Sequence, residues 1–513
     1  MADFRHRGKW TGIDGKRGGE PPRSPLRRHA QSRRRCRGSH RGGLTRLPRP
    51  VRPVRSRKGA KQNETRKDQD TGPCPPFLFL SADGEAAVID PRRDIDIYLD
   101  LAREEGSVIK HVFETHRNED LLSGAPVLKE ETGAKVWHGP NPEKPIQYAA
   151  ETREGDTFEI GGALLKVLET PGHTDDSLSY VLYDKSFEEG PVGVFTGDAL
   201  FIGDVGRTDF YPDRKREVAG LLYDSLEKLM RLGDQCLVYP AHGAGSVCGS
   251  GMADREFSSI GHEKLNNPSL QIDDREAFID AKVAENHYIP PYFRRMEEGN
   301  MEGTEAAPPA PLPASPARLL DPGDAVCLDV RGIFDFAGGH RTGSLCIPDD
   351  MLAAFAGWLL PGDKPVLLVA RDDDQAVDAA TTLQRIGFDN VSGFVSGAMP
   401  VAVQNGPLDT LDFVDTETVA ARVDNPPAGW TLLDVRAIDE YESGHIKDSK
   451  HAYVGKLPDA ASDLDPDKPV TVMCGSGARA TIAASQLMRK GFSEVDVYIG
   501  SMKAWTAAGN AIE

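Results

Sequence analysis

The stretch KHVFETHRNEDLLSG (110–124) decides the reading of the fold. A short apolar run stops at a Glu-Thr-His step and gives way to a polar loop. The same figure returns in LLKVLETPGHT (164–174), VGVFTGD (192–198) and CLVYPAHG (236–243), and a related run is GEAAVIDPRRD (84–94). Each run has strand length and is bounded by Gly, Pro, His or Asp. Helical periods lie between them, in DIDIYLDLAREEG (94–106) and REVAGLLYDSLEKLMRLG (216–233). The alternation predicts a layered α/β domain over 75–297. Within it His116, His173, Asp198 and His242 each follow the end of a strand, where ligand-binding loops gather. One such residue is usually a cap or a turn former; four in the same placement point to a metal. Two imidazoles with one carboxylate make the donor set of non-haem Fe(II) oxygenases, with positions left open for O2 and substrate.

Downstream, GTEAAPPAPLPASPA (303–317) interrupts the pattern, and 298–317 reads as a semi-rigid Pro/Ala linker. Two similar segments follow, 318–408 and 412–513. The first holds CLDVRGIFDFAGGHRTGS (327–344) and the second LLDVRAIDEYESGHIKDS (432–449). Each continues into a strand, a helical stretch and a Gly-containing end. Matching order at matching spacing marks an internal duplication, hence two tandem α/β domains. In the second segment the strand PVTVMC runs into Cys474-Gly475-Ser476-Gly477-Ala478-Arg479 and then a helical run. Gly and Ser let successive N–H groups turn inward, and the helix start adds positive potential, which together favour a thiolate and then a bound persulfide. Arg479 adds charge at the far end. The first segment has Ala370-Arg371-Asp372-Asp373-Asp374-Gln375 in that place. It lacks a sulfur nucleophile, and its carboxylates repel anionic sulfur species, so it should be catalytically silent. Cys327 and Cys346 read as packing residues, and Asp434, Arg436 and Glu440 as a structural ion-pair cluster.

Composition narrows the classes. The net charge of −18 conceals a split: residues 1–70 hold 22 Lys and Arg against 6 Asp and Glu, while the other 443 hold 39 against 73. The acidic body argues against nucleic-acid binding through it. The Arg-, Gly- and Pro-rich 1–72 shows no hydrophobic period and lacks the apolar core of a secretory signal, so it reads as a disordered basic extension. No apolar run approaches the ~18 residues of a membrane span. Seven cysteines in 513 residues make no disulfide framework and fit a reducing cytosol, so a cytoplasmic location is expected. A homo-oligomer is left open.

THRNEDLLSG, TPGHTDDS, FTGDALF, GRTDF and YPAHGAG together resemble the metallo-β-lactamase fold, an αββα sandwich, and within it the persulfide dioxygenase branch. Dinuclear members carry H-x-H-x-D-H on the first loop, whereas this chain reads His116, Arg117, Asn118, Glu119, Asp120, Leu121. The resemblance therefore implies a single Fe(II) per chain on His116, His173 and Asp198, with Zn as the alternative, and leaves Asp120 and His242 as residues that orient ligands or bound water. It also implies that Arg207 receives a substrate carboxylate through a bidentate contact. Cys248, six residues after His242, is a candidate second sulfur carrier. The two repeats resemble rhodanese domains, with Cys474 as the nucleophile. The implied partners are a low-molecular-weight persulfide, O2, and sulfite or thiosulfate. Three other classes compete. A zinc thioester hydrolase of the glyoxalase II type needs the missing histidines. A sulfurtransferase with a scaffold-only N-terminal part leaves His116, His173 and Asp198 without a purpose, as does a non-enzymatic protein binding through its basic tail. A short opening strand is also expected, since only GPCPPFLFLSADG precedes GEAAVIDPRRD.

Overall fold

The computed structural model describes residues 78–187, 189–243, 252, 253, 255, 258–397 and 408–513. The basic extension 1–72, Cys36, Cys74 and Cys248 lie outside the described residues. The LFLSA stretch does supply an opening strand. β1 (Leu78–Ala82) pairs antiparallel with β2 (Glu85–Ile89) over five residue pairs, and the turn between them is Asp83-Gly84. Sheet one continues through β3 (Val108–Phe113), β4 (Lys135–His138) and β5 (Ala150–Glu151) in that order. Sheet two is built from β6 (Thr157–Ile160), β7 (Ala163–Glu169), β8 (Leu178–Asp184), β9 (Gly193–Gly197), β10 (Leu237–Pro240) and β11 (Ser258–Ser259), also in sequential order.

Two-residue alternation along the strands sorts side chains into layers. Leu78, Leu80 and Ala82 of β1 meet Leu165 and Val167 of β7 and Phe195 of β9 between the sheets. Phe79, Val88 and Val112 face the other way, onto Tyr98 and Ala102 of the helix Asp96–Glu105 and Leu128 of the helix Ala125–Thr132. On the far side Val181, Val194 and Val238 lie against Leu222, Leu226 and Leu229 of the helix Lys215–Met230. The result is the expected αββα sandwich.

The two repeats show the duplication as topology. β12 (Val326–Asp329), β13 (His340–Arg341), β14 (Leu345–Cys346), β15 (Val366–Ala370), β16 (Val391–Ser396) and β17 (Leu408–Asp409) belong to the first. Four of them make a parallel sheet in the order β14-β12-β15-β16. β18 (Asp412–Val414), β19 (Thr431–Asp434), β20 (Lys450–His451), β21 (Val470–Met473) and β22 (Val495–Tyr498) make the second, in the order β18-β22-β21-β19-β20, again parallel. Apart from the added edge strand β18, the second order is the first with its direction reversed in the list. Among the described residues no helix is long and apolar enough to cross a membrane.

The expected linker is not a free spacer. Its first residues belong to the helix Phe293–Glu302, whose Phe293, Met296 and Asn300 are buried at helical spacing. Farther on, the Ala314 N–H donates to the Phe394 carbonyl at 2.7 Å. Phe293 and Met296 enter one core with Leu328 and Leu368 of the first repeat and Leu433 and Val472 of the second. Ion pairs reinforce the first junction: Arg385 holds Asp94 through two contacts of 2.7 Å, and Arg93 donates to Asp389 at 2.9 Å.

Asn300 ties this helix to the loop that follows His116. Its Oδ1 accepts from the Ser123 N–H at 2.8 Å, and its Nδ2 donates to the carbonyls of Asn118 and Leu121, both at 2.7 Å. Asn300→Ala orphans one buried donor and two buried acceptors. A destabilisation of about 1–3 kcal/mol is expected, read as a lower urea midpoint at unchanged slope; an unchanged midpoint would show that the loop holds itself.

Candidate functional site

The sequence-marked ligands gather because their strands end at one edge. His116 follows β3, His173 follows β7, Asp198 follows β9 directly and His242 follows β10. β7, β9 and β10 run in the same direction, since β8 is antiparallel to both β7 and β9 and β10 is parallel to β9. Gly197, the residue before Asp198, has φ +53, and a Cβ there would press on the Thr115 side chain. Glycine thus lets the two sheets close up beneath the site.

His116, His173 and Asp198 are buried and bring their donor atoms within 4.8 Å of one another. Asp198 Oδ2 lies 3.5 Å from His173 Nε2 and 3.9 Å from His116 Nε2. Asp198 Oδ1 faces the other way, 3.4 Å from His242 Nε2, which in turn is 3.5 Å from Asp120 Oδ2. Neither Asp198 oxygen meets a hydrogen-bond donor, and His116 Nε2 has no hydrogen-bond partner. Buried atoms of this kind call for a cation. About a common ion at ~2.1 Å, donors at tetrahedral to right angles stand roughly 3.0–3.4 Å apart, so the 3.5 and 3.9 Å between Asp198 and the two imidazoles need only a small inward adjustment to fit a metal.

The other ring nitrogens fix the tautomers. Thr115 Oγ1 donates to Asp90 Oδ2 at 2.9 Å, so its lone pair takes the Nδ1–H of His116, also at 2.9 Å. His173 Nδ1 lies 3.1 Å from the Arg207 carbonyl, which can only accept. Both imidazoles therefore turn an Nε2 lone pair inward, as metal ligands do. Burial pushes the Asp90 carboxyl up to about 7 against the hydrogen bonds from Thr115. Without a cation, burial disfavours charge on His173 and Glu119, yet a proton on His173 Nε2 facing Glu119 drives His173 up to about 9 and Glu119 below its ordinary value; a cation takes the place of that proton.

Three residues with a part in this site carried no signal in the sequence reading. Glu119 sits inside it, its Oε1 3.0 Å from His173 Nε2. Asp90 orients His116 through Thr115, and Asn300 holds the loop from a distant helix. Arg207 is where the sequence put it but is already engaged. Its fork closes on Asp209 at 2.7 Å twice, and Nη1 reaches the Tyr288 carbonyl at 3.3 Å. A buried guanidinium needs an internal anion, so a substrate carboxylate would have to compete with Asp209.

In the second repeat Cys474 follows β21 and is buried. The Gly477 N–H lies 3.1 Å from its Sγ, and its own N–H donates to Ser501 Oγ at 3.0 Å. Gly477 has φ +105, a left-handed turn that starts the helix Ala478–Arg489. Arg479 does not stand free beside the thiol; it pairs with Glu440 at 2.6 and 2.8 Å. The expected cluster of Asp434, Arg436 and Glu440 is thus divided. Arg436 closes on Asp434, with Nη2–Oδ2 at 2.7 Å, while Glu440 belongs to the sulfur loop. In the first repeat the corresponding loop is filled by Gln375, which donates to Asp349 at 2.7 Å and accepts from the Arg371 N–H at 2.8 Å.

Residues 70–242 match the model of the metallo-beta-lactamase superfamily, and residues 415–508 that of the rhodanese-like domain. Persulfide dioxygenase ETHE1, mitochondrial, of Mus musculus is 31% identical over 228 residues, covering 42% of this chain and 78% of that protein. Hydroxyacylglutathione hydrolase GloC of Haemophilus influenzae is 26% identical over 214 residues, covering 38% and 91%. A crystal structure of a metallo-beta-lactamase from Staphylococcus aureus subsp. aureus COL superposes with a TM-score of 0.57 at 30% identity, covering 64% of this chain and 96% of that one. Asp90→Ala frees Thr115 and lets the His116 ring turn. Metal affinity should fall about 10–100-fold, as anaerobic titration would measure. The orphaned Thr115 N–H should also lower the stability of the metal-free chain by about 1–3 kcal/mol, read as a lower urea midpoint.

Proposed function

We propose a function from one premise: the chain belongs to the metallo-β-lactamase superfamily and carries a rhodanese-like domain at its C-terminal end. It is a persulfide dioxygenase fused to a sulfurtransferase. A low-molecular-weight persulfide is oxidised with O2, water supplying the third oxygen, to sulfite, the parent thiol and two protons in the αββα sandwich, and sulfane sulfur is carried on Cys474. The observation that supports the reading is the convergence of two imidazoles and one carboxylate from three strand ends, together with Asn118 and Leu121 in place of the second and third histidines on the loop after His116. An Fe(II) held by His116, His173 and Asp198 would supply the oxygen chemistry there. The chain's own part is to keep both Nε2 lone pairs inward, through Thr115 and the Arg207 carbonyl, and to keep the site buried.

At the second site the chemistry is nucleophilic. The Cys474 thiolate attacks the outer sulfur of a persulfide; the S–S bond breaks, the parent thiolate leaves, and the enzyme holds a persulfide. The Gly477 N–H is placed to support the sulfur that bears charge. A lone pair of sulfite then attacks the outer sulfur, thiosulfate forms, and Cys474 returns as thiolate. Run in reverse, thiosulfate loads the cysteine.

A thioester hydrolase is the second reading, favoured by Asp120 and His242 on the far side of Asp198, where another ion would sit. Metal analysis after anaerobic purification separates the two. About one iron per chain with persulfide-dependent O2 uptake is expected, whereas two zinc ions with thioester cleavage overturn the proposal. Cys474→Ser should retain O2 uptake and sulfite formation while sulfur transfer from thiosulfate to cyanide disappears.

A further inference from the structure

We propose that Glu119 is a fourth protein donor to the cation held by His116, His173 and Asp198, taking the position that Asn118 leaves without a histidine. The inference rests on the reading of that site as a metal centre. It does not require persulfide to be the substrate.

Glu119 is buried and reaches both imidazoles: Oε1 lies 3.0 Å from His173 Nε2, and Oε2 lies 3.8 Å from His116 Nε2. In a neutral ring each of these nitrogens is the lone-pair end, because the Nδ1 positions donate to the Arg207 carbonyl and to Thr115. A carboxylate oxygen at 3.0 Å from a nitrogen lone pair is repelled unless something positive lies between them. A divalent cation fills that role for both nitrogens and for Asp198 at once, while a single proton on His173 serves only one contact. The loop is built to deliver this side chain. Arg117 turns outward to Glu143 and Glu297, each at 3.2 Å, and Asp120 reaches His242 at 3.5 Å. The Asn118 carbonyl is held by Asn300. Of the four residues after His116, Glu119 is the one whose side chain approaches both His116 and His173.

Two consequences distinguish this centre from a three-donor one. A divalent ion facing Asp198 and Glu119 forms a site of zero net charge, where a single carboxylate would leave it positive. Four protein donors also leave two of six positions for outside ligands in octahedral geometry, instead of three. Glu119 would therefore tighten metal binding and weaken the hold on anions, a pair of effects with opposite signs.

Anaerobic titration of the metal-free full chain with Fe(II), and with Co(II) as a spectroscopic probe, tests the assignment in Glu119→Gln and Glu119→Ala. The Fe(II) dissociation constant should rise about 10–100-fold with stoichiometry still near one, and the Co(II) visible bands should change in both variants. Azide should bind the loaded Gln variant more tightly than the loaded parent. Unchanged metal affinity and Co(II) bands would overturn the proposal. So would azide affinity that falls together with metal affinity, the mark of a site merely loosened. Unfolding midpoints of the metal-free variants, expected to stay near that of the parent, show whether a loss is a loss of fold; metal loss that only tracks a lower midpoint counts against a ligand role. None of these measurements uses persulfide or O2, so a chain that binds iron through Glu119 yet oxidises no persulfide would sink the functional reading and leave this one standing.

Discussion

Asp198 is the constraint around which the N-terminal half is arranged. Its carboxylate is buried, and both oxygens face imidazole nitrogens while no hydrogen-bond donor meets either. In a folded interior such a group persists only if a cation or proton answers it. Everything nearby keeps donors away. His116 and His173 spend their N–H groups on Thr115 and on the Arg207 carbonyl, and Gly197 lets the chain enter the site from β9 without a side chain of its own. The site is costly to the apo fold and favourable to a loaded one, which is the thermodynamic form of a binding centre.

The partners of the ligands come from far along the chain. Asp90, at the end of β2, reaches His116 through Thr115, and Asn300 holds the same loop from the helix Phe293–Glu302. The Leu122 N–H donates at 2.8 Å to the carbonyl of Arg385 in the first repeat. The loop that presents His116, Glu119 and Asp120 is thus fixed from three directions, one of them outside the sandwich. Rigidity of this kind keeps donor atoms within the narrow spacing a cation demands.

What was legible in the sequence was whatever repeats or ends on a strand. The candidate ligands His116, His173 and Asp198, and His242 beside them, are legible because an apolar run stops at each, and the duplication because LDVR and the Gly-His step return in order. Glu119, Asp90 and Asn300 gave no such signal. Glu119 lies in a polar loop where a carboxylate is ordinary, Asp90 in a strand-to-turn step where Asp is common, and Asn300 in a helix whose period looked like the start of a spacer. Their roles exist only once sheets and helix have met. Arg207 and Arg479 show the reverse: the first reads as a receptor for a substrate carboxylate and the second as charge at the end of the Cys474 loop, and each is met by a carboxylate, Asp209 or Glu440, that lies in plain view in the sequence. Charge pairing across a fold cannot be read from spacing.

The first repeat packs against both of its neighbours. Its Leu328, Leu368 and Phe388 share one core with Met296 on the sandwich side and Val472 and Ala483 on the sulfur-loop side, and the Cys346 N–H donates to Ser485 Oγ at 3.1 Å. This packing does not depend on what the loop 370–375 carries, because the core lies on the sheet and helix faces, not in the loop. A flexible tether would bring the metal centre and Cys474 together by random encounter, at an effective concentration set by linker length. A shared core instead fixes their separation.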